Sequence, residues 1–140
     1  SGRRINDSMG SYIANNLKDS LSAKGVKIEG SEILILGFSF KENCPDIRNT
    51  KVVDLTEELL SFGASVDIHD PWVNKEEVME EYGYALLSNI NSSYDAVILA
   101  VAHDEYKSMS IEEIKELQKE ISVVYDLKYV LPKEQSDIRL

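Results

Sequence analysis

Apolar residues recur along this chain with two periods, and the places where one gives way to the other set the expected elements. From Ile5 through Met9, Tyr12, Ile13, Leu17 and Leu21 the spacing is three or four, which puts them on one face of a helix of about five turns, with Gly25 as its stop. Glu32 to Phe38 (EILILGF) is a short, nearly continuous apolar run, as expected for a parallel strand covered on both faces. Val52, Leu55, Leu59 and Phe62 return to the helical period, with Asn49 or Thr50 available as cap and Gly63 as stop. Ser65 to Asp70 reads as a second strand, broken by Asp70-Pro71. Asn74 then caps a charged helix that runs to Tyr82 and stops at Gly83. Tyr84 to Leu87 suits a short strand and Asp95 to Val101 (DAVILAV) a buried one. Ser110 and Glu113 have capping-box spacing, which predicts a helix over Ser110 to Lys119, followed by a last strand over Val123 to Leu127.

Strands alternating with helices predict an α/β fold. The expected architecture is a Rossmann-like, doubly wound parallel sheet with right-handed crossovers, preceded by one long helix lying outside that unit. At 140 residues, 43% of them apolar, the chain is long enough to bury one core without disulfides or metal. Cys44 is the single cysteine, which excludes an internal disulfide or a multi-cysteine zinc site and fits a reducing cytoplasm. No run approaches the roughly 18 to 20 apolar residues that span a bilayer, so a soluble cytoplasmic protein without a membrane partner is expected. With 25 acidic against 15 basic residues the formal charge is -10, which disfavours nucleic acid as a partner. An anionic small molecule stays compatible, because a few lysines and arginines can dominate one pocket. The helical pattern starts almost directly after Ser1-Gly2, which reads as a piece of a longer chain.

In an open parallel sheet, ligands bind beyond the carboxyl ends of the strands, where loops converge. Four segments qualify: Ser39 to Asn49, Asp70 to Asn74, Ala102 to Ser110, and Lys128 to Pro132. The first runs FSFKENCPDIRNTK and carries Lys41 and Arg48 on either side of Cys44-Pro45. Two cations beside a helix start suit a phosphate or pyrophosphate, and equally suit ordinary solvated loop charges. Gly37 stands alone after its strand, so the dinucleotide fingerprint G-x-G-x-x-G is absent.

The ordered segments ILGFSFKENCPDIRNTKVVDL, GASVDIHDPWV, DAVILAVAHDEY and YDLKYVLP together resemble the C-terminal, UDP-binding domain of the UDP-glucose/GDP-mannose dehydrogenase family. The resemblance runs from about Glu32 to Leu131, and INDSMGSYIANNL before it is similar to the end of that family's long central helix. It implies residues 1–30 as the linker and dimerisation helix and residues 31–140 as the UDP-sugar-binding domain. The form FKENCPDIRNTK is most similar to the branch acting on UDP-N-acetylhexosamines, which oxidises C6 of the sugar to the uronic acid for polysaccharide biosynthesis. The resemblance further implies that Lys41 contacts the UDP-sugar and that Arg48 reaches the phosphates of NAD. Lys128 in Asp126-Leu127-Lys128 stands where the family often has a substrate-contacting arginine. The family's catalytic cysteine lies in a Gly-Gly-x-Cys segment with no counterpart here. The resemblance therefore implies a preceding domain that supplies NAD binding and catalysis, a homodimer in the whole enzyme, and no activity in this chain alone.

Other residues weigh less. Cys44 is expected to pack in its loop rather than act as a nucleophile. His69-Asp70 and His103-Asp104 suggest metal ligands or an acid–base pair, yet no third ligand has suitable spacing, and loop ordering is the expected role. Trp72 is expected to anchor packing more than to stack on uracil. Arg3 and Arg4 receive no role. A receiver-like regulatory module is the alternative; it would require acidic residues at the first strand end, where this chain has Gly37-Phe38-Ser39, and a phosphoacceptor aspartate after a middle strand, whereas a purely structural dimerisation domain, a third reading, would lack nucleotide affinity.

Overall fold

The computed structural model describes residues 2–48, 50–131 and 136–139, with side chains described from residue 9 onward. Helix α1 (Gly2–Ala23) is followed by β1 (Glu32–Leu36), α2 (Val52–Ser61), β2 (Ser65–His69), α3 (Lys75–Tyr82) and β3 (Tyr94–Leu99). Then come α4 (Asp104–Lys107), α5 (Ile111–Glu116), β4 (Gln118–Asp126) and β5 (Ile138–Arg139). The strands form one parallel sheet in the order β2-β1-β3-β4-β5.

The apolar run of β1 is explained by its two covered faces. Ile33 and Ile35 point into a core shared with α1, α2, Ile98 and Tyr125, while Leu34 and Leu36 point to the other face, against Leu99, Tyr106 and Ile114. Helix α1 precedes the strand–helix alternation as expected, but it is not peripheral. Ile13, Ala14, Leu17 and Leu21 are buried in the same core as the sheet face, and Asn16 donates to the Tyr125 hydroxyl at 3.2 Å. Met9 and Tyr12, assigned to the same helical face by spacing, are exposed.

Local signals place several boundaries. Asn74 caps α3 by accepting from the Glu77 amide, Gly83 ends it at φ 78°, and Ser110 and Glu113 make both bonds of a capping box. Other boundaries differ from expectation. Helix α5 ends at Glu116 instead of Lys119, and β4 begins at Gln118 instead of Val123, because Gln118 pairs with Tyr94 ahead of a register shift between Tyr94 and Ala96. Tyr84 to Leu87 forms no strand, only a single bridge from Leu87 to His69. Lys51 occupies the N-cap position of α2. Thr50 contributes from one residue further back, its hydroxyl accepting from the Val52 amide while donating to the Phe38 carbonyl. Asn49, the other expected cap, lies outside the described residues, as do Pro132 and the side chains of Arg3 and Arg4. Among the described residues no helix is long and apolar enough to cross a membrane.

Candidate functional site

The carboxyl ends of the strands are organised by two buried carboxylates. Past β1 the chain turns through Gly37 at φ 106°, where an added Cβ would lie 2.6 Å from the Val101 Cβ. The lone glycine is thus explained by close packing of two loops, not by a phosphate. Directly after it, the amides of Phe38 and Ser39 both donate to Asp70 Oδ2, at 2.7 and 3.0 Å. Asp70 Oδ1 takes the Trp72 amide at 2.8 Å, and His103 Nε2 lies 2.9 Å from Oδ2. Burial pushes the Asp70 carboxyl up, but the bonds from His103, Phe38, Ser39 and Trp72 outweigh it and hold it below the usual value.

His103 is fully buried. Its Nδ1 receives the Asn43 amide at 2.9 Å, and Ser39 Oγ lies 3.2 Å from Nε2. Trp72 stacks on the imidazole with centroids 5.9 Å apart and ties its indole N–H to Glu105. Trp72 is therefore a packing anchor in this structure. His69 bonds the Tyr106 hydroxyl, which donates to the His69 carbonyl; burial lowers His69 and raises Tyr106. No group of three or more His, Cys, Asp or Glu suited to a metal occurs among the described residues. His103 orders the loop after β1, and His69 ties the end of β2 to α4.

The loop after β1 is tied across itself by the Phe40 amide bonding the Asp46 carbonyl at 2.8 Å. Phe40 and Lys41 project outward and are exposed, and the free Cys44 is half-buried. Arg48 is solvent-exposed and grips Asp46 with Nε and Nη2, each at 3.0 Å. The side-chain bond from Arg48 is the main reason the Asp46 carboxyl is held down to about 2. At the far side of the rim, Asp126 is buried and accepts the amides of Lys128, Val130 and Leu131. That carboxylate fixes the turn carrying Lys128, in which Tyr129 adopts φ 56° beneath the Arg139 guanidinium.

Between α1, the start of α2 and these loops lies a cleft of about 680 Å³. Lys128, Lys51, Ser39 and Phe40 line it together with an apolar wall that includes Leu55 and Val101. Of the residues singled out by sequence, Lys128 lines this cleft; Lys41 and Arg48 sit on the adjoining loop and are not among its lining residues. Phe40 and Lys51 escaped notice, although both belong to the segment FSFKENCPDIRNTK that pointed to the site. Cations over an apolar wall suit a ligand that is anionic at one end and ring-like at the other. A second cleft of about 490 Å³ beside α5 and β4 mixes lysines with Glu120 and Asp137 and shares no lining residue with the first.

The UDP-binding domain of the UDP-glucose/GDP-mannose dehydrogenase family matches residues 34–133. The chain is 54% identical over 140 residues to a UDP-N-acetyl-D-glucosamine 6-dehydrogenase of Salmonella typhi and 46% identical to one of Pseudomonas aeruginosa, covering 99% of this chain and 33% of each relative. The structure of an NDP-N-acetyl-D-galactosaminuronic acid dehydrogenase from Methanosarcina mazei superimposes with a TM-score of 0.83 at 28% identity, over 95% of this chain and 28% of that one. The chain thus spans about a third of the length of the curated relatives it matches. It belongs to the UDP-glucose/GDP-mannose dehydrogenase family, as that family's UDP-binding domain.

Proposed function

We propose that this chain is the nucleotide-sugar-binding domain of an NAD-dependent UDP-N-acetylhexosamine 6-dehydrogenase whose uronic acid product enters polysaccharide biosynthesis. The observation that carries this reading is the 54% identity, along the whole chain, with an enzyme named for UDP-N-acetyl-D-glucosamine. In this reading Lys128 and Lys51 meet the diphosphate at the mouth of the cleft, the apolar wall takes the uncharged part of the ligand, and Lys41 adds a third cation.

The chain's own residues do not fit the usual cradle for NAD. The fingerprint glycines are missing, and the amides of Phe38 and Ser39, which follow β1 where such a cradle would donate, are engaged by Asp70. Arg48 is the residue assigned to NAD phosphates, and to reach them it would release Asp46. Oxidation at C6 belongs to groups outside this chain, so the isolated domain binds without catalysing. Helix α1 is assigned to the homodimer interface of the whole enzyme, and its exposed Met9 and Tyr12 contribute to one wall of the cleft.

Calorimetric titration of UDP and UDP-N-acetylglucosamine into the chain at low salt tests the reading. Saturable binding is expected. Lys41→Ala and Lys128→Ala should each weaken it about tenfold, since a hydrogen bond to a charged group contributes about 1.5–3 kcal/mol. A folded chain that saturates with neither ligand, or variants that bind as tightly as the parent, would overturn it.

A further inference from the structure

We propose that His103 is the positioning residue of the ligand-binding site: seated on Asp70, it latches the Ser39–Asn43 segment and so presents Phe40 and Lys41 to the nucleotide. The inference rests on the reading of Lys41 as a ligand contact. The hydrogen-bond directions around the ring permit one arrangement. The Asn43 amide can only donate, so Nδ1 is the acceptor at 2.9 Å and carries no proton. The ring proton is therefore on Nε2, aimed at Asp70 Oδ2 at 2.9 Å. Ser39 Oγ, 3.2 Å from the same nitrogen, directs its own proton to the Lys41 carbonyl at 2.9 Å. The neutral imidazole thus couples a carboxylate at the end of β2 to two points of the loop after β1.

These two points bracket Lys41. The Ser39 hydroxyl fixes the Lys41 carbonyl, and the imidazole fixes the Asn43 amide. Asn43 is held in the left-handed region at φ 52°, a conformation its side chain supports by accepting the Asp104 amide at 3.0 Å. Backbone is therefore restrained on both sides of a lysine whose side chain is exposed. Ordering that loop only on binding would draw on the affinity of the ligand, whereas ordering it beforehand does not. Nothing in the sequence brings residues 39, 43, 70 and 103 together; only the convergence of three strand ends does.

Two substitutions divide the latch. His103→Gln can keep a donor near Nε2 for Asp70 and offers no acceptor at the Nδ1 position. His103→Asn can keep an acceptor near Nδ1 for Asn43 and gives up the reach to Asp70. Asn43→Ala, at an exposed position, removes the bond to Asp104 without opening the core. UDP titrated into the parent chain and these variants should bind about tenfold more weakly to His103→Gln and several-fold more weakly to Asn43→Ala, and within about threefold of the parent to His103→Asn. Ring-nitrogen chemical shifts of the parent should report a proton on Nε2 and none on Nδ1. If the histidine variants do not fold, Asn43→Ala and the ring shifts decide. A proton on Nδ1 overturns the proposal, as does undiminished UDP binding by His103→Gln or Asn43→Ala in a protein whose binding Lys41→Ala does weaken; the Lys41 reading then stands. Equal losses in both histidine variants would show a merely structural ring. A folded parent that binds no UDP overturns both readings.

Discussion

Asp70 and Asp126 solve the same local problem at two strand ends. Where a strand stops, its neighbours' amides lose their ladder partners, and a buried carboxylate can accept several of them at once. Such groups link folding to pH. Asp70 titrates below its ordinary 3.8 in the folded chain, so its contribution is complete above that value and is lost as pH falls through it toward the folded value. His69 acts in a higher window. Burial lowers it below 6.5, against the pull of Asp70 and Glu105, so just below 6.5 the unfolded chain takes a proton that the folded chain refuses. Stability therefore falls as pH drops through 6.5 and levels off below the folded value of His69. His69→Asn keeps a donor at the Nδ1 position for the Tyr106 hydroxyl but does not titrate. The fall in Tm between about pH 7.5 and 5.5 should shrink in this variant, as followed by circular dichroism. An unchanged slope would assign the effect to other groups.

Helix α1 crosses α2 at Gly10, where an added Cβ would sit 2.9 Å from the Asp54 carbonyl carbon, an atom of backbone that cannot swing aside. Intrinsic propensity alone would make Gly10→Ala stabilising by about 1 kcal/mol. Overpacking against rigid backbone costs about 1–3 kcal/mol, so the net change expected from chemical denaturation is destabilising, by up to about 2 kcal/mol. Stabilisation would mean that the helices separate readily. Elements of this size were legible wherever burial imprinted a period. The runs EILILGF and DAVILAV, the Asn74 cap and the Ser110 capping box all stand where sequence placed them, within a residue or two. The misreadings arise where pairing overrides local preference. Gln118 and Lys119 close the helix that the capping box predicts, yet they begin β4 because Gln118 pairs with Tyr94. Strand β5 has two residues, too few for a period, and its start is held by Asp137 bonding the Val124 amide and carbonyl. The candidate site was legible only in part. The loop after β1 drew notice through Lys41 and Arg48, which do not line the cleft, while its Lys51, which does, went unremarked; the Asp70–His103 contact joins residues 33 apart and leaves no local trace.

Across the whole molecule, the division at residue 30 suggested by sequence meets a continuous core. Ile13, Ala14, Leu17 and Leu21 cover one face of the sheet beside Leu55 and Leu59 of α2. Just beyond α1, Lys24 bonds the Ser122 carbonyl at 2.6 Å and Asp137 at 2.8 Å, fastening the helix end to β4 and to the start of β5. We therefore propose that residues 1–30 and 31–140 differ in function, linker against ligand binding, but fold as one unit. The cleft sharpens the point, since Met9, Gly10, Tyr12 and Ile13 of α1 line it opposite Lys128. Removing residues 1–30 strips cover from Leu55, Leu59 and Tyr125 and takes away one wall of the proposed nucleotide site. The shortened chain should bind a hydrophobic dye, lose its sharp thermal transition and show no saturable UDP binding, while the intact chain unfolds in one cooperative step. Should residues 31–140 alone melt sharply and bind UDP as the intact chain does, α1 would be an appendage, and both the core and the cleft would have to be redrawn without it.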